Sequence, residues 1–298
     1  MITLHDLIAY ENHSYFESGE EFIAYRQRLR LMVGLSDVVL AISPETLREA
    51  MEQLGLDRQH CKLFANPLQH LVPASLHDGL PPVERPYCLI VGTDFRHKHV
   101  PGTVELFRDV VLPLHPQMRL VIAGPSVESG GSRDRVAEML RNDARLAAAV
   151  EIRGPVSDSE LQQLYRQASL CFYLSLQEGF GYIPYEAACW DCPTLVANTS
   201  VFSDCPDFIA IPPFRCLVTQ EAIAQLIRDP DARQRNIAFW KQRILDDQRR
   251  QPGAELIAIY QEALDRPRSP LSDTLAEVLV SNAAGSVLAQ TEIGRAHV

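Results

Sequence analysis

Between Tyr87 and Asn198 the sequence repeats one pattern: a short run that is almost wholly apolar, a turn, then a stretch with helical spacing. The runs are Tyr87–Val91, Arg119–Ala123, Leu170–Leu174 and Thr194–Ala197, and Val150–Arg153 reads as a further, less apolar strand. A continuous apolar run of this length reads as a strand buried on both faces. Strands that alternate with helices at this interval join in parallel. Crossovers of one hand then lay helices on both sides of the sheet. The expected fold class is therefore α/β, a doubly wound, Rossmann-like parallel sheet.

The first third reads as a smaller unit of the same kind. Ile2–Leu4 is a strand end, and Glu20–Leu35 is a helix with Phe22, Tyr25, Leu29 and Met32 or Val33 on one face. Val38–Ile42 is a buried strand. Ser43-Pro44 supplies a cap and a first-turn proline for a helix to about Leu54, and Gly55 ends it. Lys62–Ala65 is a further strand. Residues 73–86 are proline-rich and polar, as a linker is. The expected organisation is a truncated Rossmann-like domain over 1–72, the linker 73–86, a second domain over 87–266, and an uncertain tail over 267–298. Residues 292–298 have the sequence expected from a translated sequencing adapter. With the small first unit, this leads us to expect a gene fragment.

Within the larger unit, helices are expected at 101–112 and at 133–148, the latter capped by Ser132. Ser157 and Glu160 form a capping box that opens a helix to Ala168. A charged helix over 231–250 carries Ile237, Trp240 and Ile244 on one face.

Several function classes are disfavoured. The net charge of −10 over 298 residues argues against a broad nucleic-acid footprint. No apolar run has the length of a membrane span, and no signal segment opens the chain. The 7 cysteines show no framework spacing and read as reduced thiols in a cytoplasmic protein. Cys189 and Cys192 form an isolated C-x-x-C with no second half, so no metal site is expected. A redox pair is the other chemical reading, but the C-x-x-C pattern alone is a weak signal, and two buried small side chains at a helix end are the favoured reading.

The candidate chemistry centres on 174–192, LSLQEGFGYIPYEAACWDC. Glu178 precedes a turn bracketed by Gly179 and Gly181, and Glu186 falls in the first turn of the helix entered through Pro184. Glycines allow positive φ and close backbone approach to a ligand. A carboxylate offers two acceptor oxygens to the paired hydroxyls of a sugar or ribose. Glu186 could instead only complement the helix dipole, and Glu178 could be a solvated loop acid. A second loop, Gly92–His99, packs Arg96, His97, Lys98 and His99 between a strand end and a helix start. Backbone amides and Lys98 there make an anion site suited to a diphosphate; a solvated charge cluster is the other reading. No G-x-G-x-x-G fingerprint or P-loop is present, so a nicotinamide dehydrogenase is not supported.

E-G-F-G-x-x-P-x-E from Glu178 to Glu186, V-G-T-x-x-x-x-K at Val91–Lys98, R-L-V-I-A-G at Arg119–Gly124 and G-x-V-S-D-x-E-L at Gly154–Leu161 resemble the signatures of the family-four retaining glycosyltransferases of GT-B fold. The resemblance runs from about Ile2 to Leu264 and is strongest over Tyr87–Asn198. It implies sugar transfer from a nucleoside-diphosphate donor to an unknown glycan, lipid or other acceptor, without metal or cofactor. It implies a donor-binding set of Thr93, Arg96, Lys98, Gly154, Val156, Gly179, Phe180, Gly181 and Glu186. Lys98 would meet the diphosphate and Glu186 the ribose. The turn after Arg153 would lie beside the base. Glu178 and the Gly179–Gly181 amides would meet the transferred sugar. His5, in T-L-H-D, matches a histidine near the anomeric centre, so His5 and Glu178 are the catalytic candidates. Peripheral membrane association is compatible with this family.

The sequence also departs from the pattern. His97 stands where arginine is usual and His99 where asparagine is common, which would leave the diphosphate to Lys98 and Arg96. Thr93 takes a position that is basic in some members. Asp191 replaces a glycine, a substitution that the left-handed backbone tolerates. The usual P-E-x-x-G is absent; Cys205-Pro-Asp207 is its expected relic. A non-catalytic nucleotide-binding domain and a nucleotide-sugar epimerase of the same fold therefore stay open.

Overall fold

The protein was analysed as a computed structural model that describes residues 1–73, 86–127, 131–205, 209–210 and 214–265. Most of the expected linker, all of 267–298 and the second half of Cys205-Pro-Asp207 lie outside the described residues.

Two parallel sheets form. The first has the order β1 (Ile2–Leu4), β2 (Val39–Ala41), β3 (Cys61–Leu63). The second has β4 (Tyr87–Val91), β5 (Arg119–Ala123), β6 (Val150–Gly154), β7 (Leu170–Tyr173), β8 (Thr194–Ala197) and β9 (Ile209–Ala210), arranged β6-β5-β4-β7-β8-β9. Every pairing is parallel, with Cys88 beside Leu120 on one side and beside Leu170 on the other. The chain winds outward from β4 in one direction and then, from β7, in the other. The strand order thus reverses between β4 and β7, and in open α/β sheets the crevice above that reversal takes the ligand.

The core explains why these runs became strands. Cys88 and Ile90 pack on one face of the second sheet with Val104, Phe107 and Leu120. Tyr87 and Leu89 pack on the other with Val121, Leu164 and Ala187. Both faces are covered, so no polar residue interrupts β4 before its end. Trp240, fully buried on the helix Pro230–Gln248, sits edge-on to Tyr185 and Phe202.

Some local expectations are corrected. The single helix expected over 133–148 is two, Arg133–Asn142 and Ala144–Ala149, because the Asp143 side chain caps the second by accepting from Leu146 N. Ser132 makes no cap; its hydroxyl donates to the Asp94 carbonyl at 3.0 Å. In the helix Gly19–Gly34, Val33 is the buried alternative and Met32 is exposed. The third strand lies slightly earlier than expected, at Cys61–Leu63. The helix after the Gly92–His99 loop contains a π-helical stretch, Phe107–Val111. The Ser157–Glu160 capping box is present on both sides of its hydrogen-bond exchange. The helices Leu217–Arg228 and Pro252–Asp265 were not foreseen. Among the described residues no helix is long and apolar enough to cross a membrane, and Cys189 and Cys192 are both buried and free.

Candidate functional site

The loops that leave β4 and β7 meet above the strand reversal. The first passes Gly92 and Thr93, makes a 3-10 turn at Arg96–Lys98, and enters the helix Val100–Leu106 through His99 in the left-handed region, φ 54°. The second runs from Leu174 to the helix Ile183–Cys189. Three adjacent strands, β4, β5 and β6, end in glycines of positive φ: Gly92, Gly124 and Gly154. The close approach of Gly124 to the Gly92 carbonyl leaves no room for a side chain there, since a Cβ would lie 2.0 Å from that oxygen.

Lys98 and Glu178 converge. The ammonium lies 2.7 Å from Glu178 Oε1 and donates to the Tyr173 hydroxyl at 3.3 Å. Glu178 is buried, so it is not the solvated loop acid considered above. Tyr173 closes β7; burial pushes its hydroxyl far above the ordinary tyrosine range, and Glu178 pushes it the same way. It is therefore a neutral hydrogen-bonding group.

Glu186 stands in the first turn of its helix, with Tyr165 donating to Oε2 at 3.1 Å. Burial raises its carboxyl above the usual range, while the Tyr165 hydrogen bond and nearby His70 draw it back. Phe180 stacks on Tyr185 with a centroid separation of 5.8 Å. Gly181 has φ 83°. Gly179 is required for a different reason from the expected one. It presses on the first sheet's loop, where a Cβ would meet the His5 carbonyl oxygen at 2.1 Å.

The site is therefore bordered by both sheets. His5 and Asp6 follow β1. Thr46, on the helix Pro44–Leu54, directs its hydroxyl toward the His5 carbonyl at 3.2 Å and the Gly179 carbonyl at 3.4 Å. Asp6 accepts from Ile8 N at 2.9 Å; its carboxyl is raised, mainly by burial and also by Glu178. His97 faces Tyr15 of the first part rather than the crevice, with Nδ1 against the phenol oxygen. Burial and Lys98 push His97 down to about 4, so it is neutral at pH 7. Its carbonyl accepts from Leu176 N at 2.7 Å and from the Ser175 hydroxyl at 3.1 Å, which locks the two loops together.

Not every candidate joins this cluster. Arg96 is exposed. Thr93 is half-buried beside it. Gly154 ends β6 with φ 69°, and Val156 packs against the core cluster that contains Leu164 and Tyr165. Tyr15, Thr46, Tyr165 and Tyr173 were missed by sequence reasoning. For Tyr173 the last position of an apolar strand at the reversal was the available signal. The others carry no local one.

The family model of the glycosyl transferases group 1 matches residues 75–241, more than half of the chain. No curated protein sequence matches it. Among solved structures, sucrose-phosphate synthase from Thermosynechococcus elongatus is 20% identical with a TM-score of 0.61, covering 96% of this chain and 68% of its own. HepE from Anabaena, in complex with UDP and glucose, is 19% identical with a TM-score of 0.63, covering 86% and 71%. TarM from S. aureus, in a complex that includes UDP, is 14% identical with a TM-score of 0.61, covering 85% and 49%. The chain thus spans between half and seven-tenths of these structures, whose likeness at such identities is one of fold. With this GT-B arrangement of two Rossmann-like sheets and the match over 75–241, the chain belongs to the glycosyl transferases group 1.

Proposed function

We propose that the chain transfers a sugar from a nucleoside-diphosphate donor to an acceptor with retention of anomeric configuration. The observation that carries this reading is the convergence of Lys98 and Glu178, 2.7 Å apart, above the strand reversal and beside His5's loop. The occupied neighbours support the donor class, since HepE was solved with UDP and glucose. Residues 1–72 form the acceptor side and 87–266 the donor side.

In this reading Lys98 meets the diphosphate, with Arg96 and Thr93 flanking it. Glu186 takes the ribose hydroxyls, and Gly154 and Val156 lie beside the base. Glu178 and the amides of Gly179, Phe180 and Gly181 hold the transferred sugar, and His5 stands at its anomeric carbon. Charge that develops on the departing diphosphate is met by Lys98 and by the backbone amides, a fixed electrostatic environment that needs no reorganisation. That phosphate takes the acceptor's proton, so the chain supplies no general base and no metal or cofactor is assigned.

Titration calorimetry of UDP, ADP and GDP, and of the matching nucleosides, tests the assignment. Lys98→Ala is expected to lose about 10–100-fold in diphosphate affinity, the worth of a charge-assisted hydrogen bond, and to keep its nucleoside affinity. Equal binding of the diphosphate by variant and parent overturns it. Interconversion of a UDP-sugar without acceptor would mark an epimerase instead.

A further inference from the structure

A contact beside the Lys98–Glu178 pair has no part in donor binding as described. Gln177 and Glu178 are consecutive, and their side chains go to opposite partners. Glu178 turns to Lys98 in the second sheet's first loop. Gln177 turns to the first sheet's helices: its Nε2 donates to Glu11 Oε2 at 3.0 Å and to Glu49 Oε1 at 3.3 Å. An amide nitrogen has two hydrogens, one for each carboxylate.

The two acids need that amide. Glu49 is buried, at 7% exposure. Its surroundings are Glu11 across the gap, Glu45 and Arg48 on its own helix, and Gln177. A buried carboxylate without a donor is costly, and Gln177 is the hydrogen-bond donor that Glu49 has among the described residues. The segment is also held by Leu176 N on the His97 carbonyl, by the Ser175 hydroxyl on the His97 and Gln177 carbonyls, and by the Thr46 hydroxyl on the Gly179 carbonyl. Gln177 is the side-chain anchor between them, directly before Glu178.

We propose that Gln177 is a positioning residue: by bridging Glu11 and Glu49 it ties the loop to the first sheet and so holds Glu178 at Lys98, in the place where the sugar of the donor is bound. The tether rests on the geometry alone; its role in sugar binding rests on the donor reading above.

Hydrogen exchange of the intact chain reads the tether without ligand. Gln177→Leu is expected to speed exchange of the 176–179 amides by about ten-fold or more, through the loss of both hydrogen bonds of the bridge. Glu49→Gln keeps an acceptor for the bridge and is expected to stay near the parent. Calorimetry then reads the role: Gln177→Leu is expected to bind UDP-glucose about ten-fold more weakly and UDP as the parent does. Unchanged exchange in Gln177→Leu overturns the tether, and equal weakening of UDP and UDP-glucose overturns the role at Glu178. If Gln177→Leu does not fold, Glu11→Ala at the exposed end of a short helix replaces it; faster exchange of 176–179 supports the tether and unchanged exchange overturns it. A parent that binds none of UDP, ADP and GDP, with exchange as expected, overturns the donor reading and leaves Gln177 as a tether between sheets.

Discussion

Glu49 has its carboxyl pushed up to about 7, chiefly by burial, with Glu11 and Glu45 adding repulsion and the Gln177 amide and Arg48 opposing it. The raised value means that the folded protein favours the protonated acid. Stability from this group is complete below the unfolded value of 4.5 and is lost as pH rises through about 7. At about 1.4 kcal/mol per unit the loss reaches at most about 3 kcal/mol. Glu49→Gln removes the titration. Urea denaturation at pH 8 is expected to show the variant more stable than the parent by about 1–3 kcal/mol, with the gap closing near pH 4.5. An equal gap at both pH values would assign the effect to packing. His97 shows the opposite case. Held near 4, it brings no charge to its loop at neutral pH, and its imidazole serves Tyr15 instead.

At the level of elements, the loop after β7 depends on a glycine that touches another sheet. Gly179→Ala would drive a Cβ to 2.1 Å from a backbone oxygen of His5, which cannot rotate away. The loop must shift, and a loss of about 1–3 kcal/mol in thermal or urea unfolding is expected, as for other overpacked sites. Gly34→Ala, where a Cβ meets nothing within 4 Å, serves as the control. Sequence reasoning reached Gly179 by its pattern and assigned it freedom of φ; the contact that fixes it joins residues far apart in the chain. The strands β4, β5, β7 and β8 were legible because burial on both faces suppresses polar residues. Asp191 was legible as well: it takes φ 58° and pairs with Lys241 at 2.6 Å. The helix Pro252–Asp265 was not, because it buries no residue and leaves no apolar stripe against a core. Lys98, Glu178 and Glu186 could be picked out by local motif. Gln177, Thr46 and Tyr15 could not, since each acts through partners in the other half of the chain.

For the whole molecule, the end of the helix Pro230–Gln248 returns to the segment that leaves the first sheet. Asp247 is buried; it accepts from Leu68 N at 2.6 Å and pairs with Arg250 at 2.7 Å. Gln69 donates to the Arg250 carbonyl at 2.9 Å, and Gln248 to the Leu71 carbonyl at 3.3 Å. Beyond them Lys62 at β3 meets Glu262 at 2.8 Å. Asp247→Ala leaves the buried Leu68 amide without its acceptor, while Arg250 keeps Glu255 at 2.6 Å. A loss of about 1–3 kcal/mol is expected in urea unfolding, and an unchanged midpoint would show that this crossing adds nothing to stability. The chain thus passes between the sheets twice along one line, outward near Leu68 and back near Arg250. These crossings clasp the two sheets at one edge, and the crevice side carries its own clasps: Gln177 on Glu11 and Glu49, Thr46 on the Gly179 carbonyl, and Tyr15 on His97. Parting the sheets must break the crevice contacts, and twisting one against the other must break Asp247 from Leu68. Lys98 and His5 are therefore held in register across the crevice from both of its ends.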